Sequence, residues 1–238
     1  DDDGAALRQA LIYTTGGIIG VITLGETHRK NTFEKTKNDQ DHTRQVHAER
    51  RSRYTKAIEH LFNENISVRL GGVYALAGLA DEWLTDEKTL RIEKERHKEG
   101  QVIINTLCSY IRSSFNLASK AEVLTKDEAP GNYEGGDQQF IKDQAKLREE
   151  QELRLTILDA IKTRLNSSTI AQEDGNEKLI KGWSNFDYNF ANATFFYNID
   201  LTGARFLNKA NFAKAKFNNN SKFTNTFFKE NADFTEAE

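Results

Sequence analysis

The chain has no methionine, one proline and one cysteine. A lone thiol cannot form an intramolecular disulfide, so a disulfide-stapled scaffold is excluded and a reducing compartment suits the body. Cys108 lies in the apolar run LCSYI and reads as a buried core thiol. An excess of one charge is missing too: 33 Lys and Arg against 36 Asp and Glu give a net charge of -3. That balance excludes an overall pull toward nucleic acid and a strongly acidic, polyanion-mimicking surface. Without a methionine the sequence is not expected to begin at a translational start. Its last residues, NADFTEAE, break off inside a repeating pattern, so further repeats are expected after Glu238.

What is present suffices for a folded body. With 37% hydrophobic and 29% charged residues in 238, one large or two modest domains with a real core are expected. From Ala5 to Leu24 the chain reads AALRQALIYTTGGIIGVITL, whose strongly polar members, Arg8 and Gln9, lie near one end where they could snorkel. Gly16 and Gly20 have the small-x-x-x-small spacing of membrane helix packing. Asp1 to Asp3 precede the run, and Arg29, Lys30, Lys35 and Lys37 follow it. These features lead us to expect a transmembrane helix region over 1–25, a single pass of the cell inner (plasma) membrane, with the bulk of the chain cytoplasmic by the positive-inside rule. Because the uninterrupted apolar core from Leu11 to Leu24 is only fourteen residues, a buried helix of a soluble domain is the competing reading.

Residues 26–63 read as a polar stalk whose last turns, with Tyr54, Ala57, Ile58, Leu61 and Phe62 at helical spacing, form the first helix of the body. Its basic cluster at Arg50, Arg51 and Arg53 is a candidate contact surface, although a solvated helix face is the plainer reading. Residues 64–180 are expected to form an all-α, HEAT-like helical domain, with helices over Val68–Trp83, Val102–Phe115 and Leu147–Leu165. Between them, 116–146 holds the only proline, Pro130, with Gly131, Gly135 and Gly136, and reads as a long mobile surface loop.

From Trp183 onward, apolar centres fall at Phe190, Phe195, Leu201, Phe206, Phe212, Phe217, Phe223, Phe228 and Phe234, in steps alternating five and six. Neither a period of two nor one of 3.6 gathers them on one side. A chain that turns a corner every five or six residues does. Two residues before these centres stand Ala193, Ala204, Ala210, Ala215 and Ala232, with Ser221 and Thr226 also small and Tyr188 and Ile199 large. One large and one small inward residue per face predict a right-handed quadrilateral β-helix over 181–238, roughly twenty-two residues per coil and truncated at its C-terminal end. The fold class expected is α+β: transmembrane helix, helical domain, β-helix.

LTGARF, KANFAKAKF and NADFTEA resemble the units of the pentapeptide-repeat family: alanine, aspartate or asparagine, leucine or phenylalanine, then two free positions. RLGGVYALAGLADEW, INTLCSYIR, QELRLTILDAIKTRL and WSNFDYNFANATF together resemble an actinobacterial group of that family, which places a membrane helix and a helical domain before the repeats. The likeness covers most of residues 44–238 but not the 116–146 stretch. It implies an architecture and no activity.

The five histidines show no metal-binding i, i+4 pair around a glutamate, and neither Gly16-Gly17 nor Gly71-Gly72 makes a phosphate-cradling loop. No catalytic residue, metal or cofactor is therefore expected. The function expected is a non-enzymatic, membrane-anchored interaction or scaffold protein. Its partners would be a membrane-associated protein and, through the N-terminal helix, membrane lipid, with no nucleic acid. Some pentapeptide-repeat proteins mimic duplex DNA and bind topoisomerases, which is the alternative. Over 181–238, however, seven positive charges face six negative ones, a balance of +1 where mimicry needs a strongly negative surface.

Overall fold

The computed structural model describes the backbone of residues 2–166, 170–173, 176–179, 182–218 and 220–238, and the side chains of 29, 30, 32–165, 182–218 and 220–238. It separates into two compact units, Asp1–Arg51 and Ser52–Glu238.

The first unit is a stretch of the helix α1 (Asp2–Leu61). From Thr32 to Gln45 every residue but Thr43 is exposed, so this stretch has no core and relies on local contacts. The Thr36 and Thr43 hydroxyls donate to the carbonyls of Thr32 and Asp39, and Lys30 faces Glu34 across one turn at 4.0 Å. The expected single-pass membrane helix, and the membrane localisation built on it, are corrected here. Among the described residues no helix is long and apolar enough to cross a membrane. The physical reason is length: fourteen uninterrupted apolar residues rise only about 21 Å along a helix, against a hydrocarbon core of about 30 Å, and α1 then continues as polar sequence.

The second unit begins with the last turns of α1. Ala57 and Leu61 are buried against α2 (Ile66–Thr85), whose start is capped by Asn65 accepting from the Ser67 N–H. Gly72 makes the crossing close: a Cβ there would stand 2.7 Å from the Leu61 nitrogen. α3 (Glu93–Arg112) and α5 (Gly136–Asn166) both pack on α2, forming one group around it rather than an array of repeated hairpins. The 116–146 stretch is not a plain surface loop. It holds a 3-10 turn (Ala118–Lys120), the short α4 (Ala121–Leu124) and the first turns of α5, with Leu117, Leu124 and Phe140 buried. After α5 comes an antiparallel pair, β1 (Ile170–Glu173) with β2 (Asn176–Leu179).

A 3-10 turn at Trp183–Asn185 opens the strand region. Its strands, each two residues long, are β3 (Tyr188–Asn189), β4 (Thr194–Phe195), β5 (Arg205–Phe206), β6 (Ala210–Asn211), β7 (Lys216–Phe217), β8 (Phe227–Phe228) and β9 (Ala232–Asp233). They pair in parallel, each with the strand 22 residues on, as in Tyr188 with Ala210 and Phe206 with Phe228. The expected quadrilateral β-helix is corrected: the strands form separate small sheets ordered β3-β6-β9, β4-β7 and β5-β8, none of them closed. The fold is therefore mixed, helical toward the N-terminus and followed by small parallel sheets. Corners are what keep the sheets apart. Asn192, Gly203, Lys214, Asn225 and Glu236, spaced eleven residues apart, all have φ between 54° and 71°. A left-handed residue turns the chain sharply and ends the strand pairing at that point.

The core of this region is built from rings. Phe190, Phe212 and Phe234 stack at 5.1 and 4.9 Å, Phe195 on Phe217 at 5.1 Å, and Phe206 on Phe228 at 5.1 Å. Those spacings follow the distance between hydrogen-bonded strands, about 4.8 Å, because each ring stands in a paired strand or at the residue directly after one. Ala193, Ala204, Ala210 and Ala215 fill the remaining interior and are fully buried.

Candidate interaction surface

The strands are held to the helices by a row of specific contacts along α3. Gly100 lets Phe186 approach so closely that a Cβ would lie 2.6 Å from its ring. One turn earlier, the His97 ring lies 4.6 Å from that of Phe186, and its Nε2 is 2.9 Å from the Asn185 carbonyl. The Gln101 amide donates to the Asp187 carbonyl and accepts from the Asp187 N–H, each at 2.8 Å, as a neighbouring strand would. Asp81 of α2 provides a second tie, accepting from the Trp183 indole and from Arg164 Nε, both at 2.8 Å. Arg164 in turn lies over the Trp183 ring at 5.0 Å.

Behind these ties the helices share a buried polar network. Arg154, only 1% exposed, donates to Glu150 at 2.7 Å and to the carbonyls of Ile111 and Ser113. Those two carbonyls stand at the end of α3, where no helical partner remains for them. Tyr110 donates to Glu150 and accepts from Arg69, which also reaches Glu150 at 2.6 Å. Burial, aided by the Glu150 charge, pushes the Tyr110 hydroxyl up to about 12. For Arg69, burial is the largest influence and acts against the charge, but the bond to Glu150 and the interactions with Tyr110 together outweigh it and raise the pKa.

Outside, the strands present residues in columns set by their register: Asn189, Asn211 and Asp233; Thr194 and Lys216; Asp200 and Lys222; Arg205 and Phe227. Asn189, Asp200, Asn211 and Asp233 each accept from the N–H two residues on, so their side chains are fixed against the corners. Where this surface meets the helices there is a polar cleft of about 730 Å³, lined by Glu122, Thr125, Gln151, Leu155, Asn198 and Asn220. Asn198 and Asn220 also border a second cleft of about 480 Å³ beside Asp200 and Lys222. Bonds from Thr202, and then from Lys162 at 3.1 Å, hold the Asp200 carboxyl down at about 2, so it is ionised at neutral pH.

The remaining reactive group is inert where it stands. Burial pushes the Cys108 thiol up to about 12, which leaves no thiolate at neutral pH. Among the described residues no group of three His, Cys, Asp or Glu is placed to hold a metal ion.

The residues singled out from sequence are placed as follows. Phe190, Phe195, Leu201, Phe206 and Phe212 are buried, Phe217, Phe223 and Phe228 are half-buried against the same core, and Phe234 is 39% exposed. Arg53 is engaged within the protein, in a two-point pair with Glu82 of α2 at 2.9 and 2.7 Å. Arg50 is half-buried and Arg51 exposed. Gly16 and Gly20 lie in the part of α1 outside the described side chains. Sequence reasoning missed the polar network, the Asp81 tie and both clefts. A signal for the first was present: Glu150 and Arg154 stand one turn apart on the stripe that carries Ile157, Leu158 and Ile161. Compared with family models, curated proteins and solved structures, the chain matches none of them.

Proposed function

We propose that the chain is a non-enzymatic interaction protein, a scaffold that offers the outward face of its stacked strands and the adjoining polar cleft to a protein partner. One observation carries this reading: the outward columns are held in fixed register and tied to α3 through Gln101 and His97, which makes a pre-organised surface that loses little freedom on binding. The likeness of KANFAKAKF and NADFTEA to pentapeptide-repeat units belongs to the same proposal and favours binding over catalysis. Polyanion mimicry finds less support, because acids of the stack sit beside lysines, Glu238 by Lys216 at 2.9 Å and Glu236 by Lys214 at 3.5 Å.

The test is cross-linking capture of partners on the whole chain, with Lys216→Glu/Lys222→Glu as the comparison and circular dichroism to confirm that the variant is folded. The reading expects a reproducible partner whose cross-links map to the stack or the cleft and vanish in the variant. A partner retained unchanged by the variant, or turnover of a substrate by the purified chain, would sink it.

A further inference from the structure

A second surface lies away from the strands, between the last turns of α1 and one face of α3. Tyr54 and Ile58 on α1 and Phe62 directly after its end line one wall, and Val102, Thr106 and Tyr110 belong to the α3 wall, enclosing a groove of about 840 Å³. Its apolar members are open to solvent to an uncommon degree: Phe62 is 65% and Val102 46% exposed. Its floor is rigid. The Phe62 and Tyr110 rings lie 5.7 Å apart, and the Tyr110 hydroxyl is fixed by Glu150 and Arg69.

The charges lining this groove decide what fits it. There are two, Glu59 on the α1 wall and Arg112 on the α3 wall, both exposed and neither with an ion-pair partner among the described residues. A surface with an acid on one wall, a base on the other and an apolar floor between is complementary to itself under a two-fold rotation. An anionic lipid surface would instead call for an excess of basic residues along the rim. We infer that this groove is a two-fold interface between two copies of the chain, in which Phe62 of each copy enters the groove of the other and Glu59 of each meets the partner's Arg112. Such a contact covers the apolar side chains that a single copy leaves in water, and it leaves the strand face of both copies free.

The experiment is sedimentation equilibrium on the whole chain, on Glu59→Arg, on Arg112→Glu and on the doubly reversed variant. Both positions are exposed on helices, and circular dichroism checks that each variant folds. The wild type is expected to dimerise, each single reversal to weaken dimerisation roughly tenfold or more by placing like charges together, and the double reversal to restore it. Phe62→Ala should leave a monomer. A monomeric wild type overturns the inference, and so does a dimer indifferent to the single reversals, which would place the contact elsewhere. Binding of the wild-type groove to anionic vesicles, lost in Arg112→Glu while the protein stays monomeric, would overturn it in favour of a lipid surface.

Discussion

In the helical group, Arg96, Asp143, Glu150 and Arg154 are buried side by side with leucines and isoleucines, whereas from Tyr188 to Glu238 no charged residue is buried among the described residues. The two regions therefore establish register by different means. Helices of unrelated sequence can slide or rotate on a purely apolar contact, and directional bonds select one arrangement; here Arg154 ties α5 to the end of α3, and Asp81 ties α2 to α5 and to Trp183. The strand region has no such need. Each strand position pairs with one 22 residues away, and a ring meets the ring above it because the backbone ladder has already aligned them. Repetition does locally what a few buried charges do over long sequence separations.

Breaking the two devices separately tests this comparison. The largest effect is expected from Arg154→Ala, which removes one of the two arginines bonded to the buried Glu150 and frees two carbonyls, at a cost of about 3–5 kcal/mol. Urea unfolding measures it, and replacing both members with leucine should cost much less than the single change. Phe212→Ala comes next. It removes the ring between Phe190 and Phe234 and should cost about 3–4 kcal/mol, with hydrogen exchange accelerating over 188–238 before the helices are affected. Uniform acceleration in the helices as well would mean that the two cores act as one.

Smaller effects are expected at the corners. Gly203→Ala places a Cβ at φ 71° and should cost about 1–2 kcal/mol. Lys214→Gly, at φ 57°, should leave stability unchanged or raise it by up to about 1 kcal/mol, read from the same urea curves. The smallest is a pH effect at Asp200. Its folded pKa lies below the unfolded value of about 3.9, so its stabilisation is complete above that value and is lost as pH falls through about 2. The urea midpoint of Asp200→Asn should therefore fall below that of the wild type at pH 7, and the gap should close by pH 2.

Much of the strand region was legible because its pattern is local. The alternating five and six steps from Phe190 to Phe234 predicted inward rings and a 22-residue return, and the pairing of Phe195 with Phe217 has that register. Closure into a four-sided tube was not legible, because spacing says which residues face inward but not where strand pairing stops. The hairpin at Ile170–Leu179 was missed even though Asp174-Gly175, a strong turn dipeptide, stands between its strands. In 116–146 the glycines and Pro130 outweighed Leu117, Leu124 and Phe140, whose burial depends on helices distant in sequence.

By itself the sequence determined the helices, through apolar residues at helical spacing, and the inward set of the strand region, through a period no helix or strand shares. Both depend on contacts within a few residues, or on a repeat that states its own partners. Only the tertiary structure decided that Arg53 pairs with Glu82 and that Arg154 supports the end of α3. Each of these depends on which distant atoms a side chain meets, and a buried charge is stable only where its partners converge.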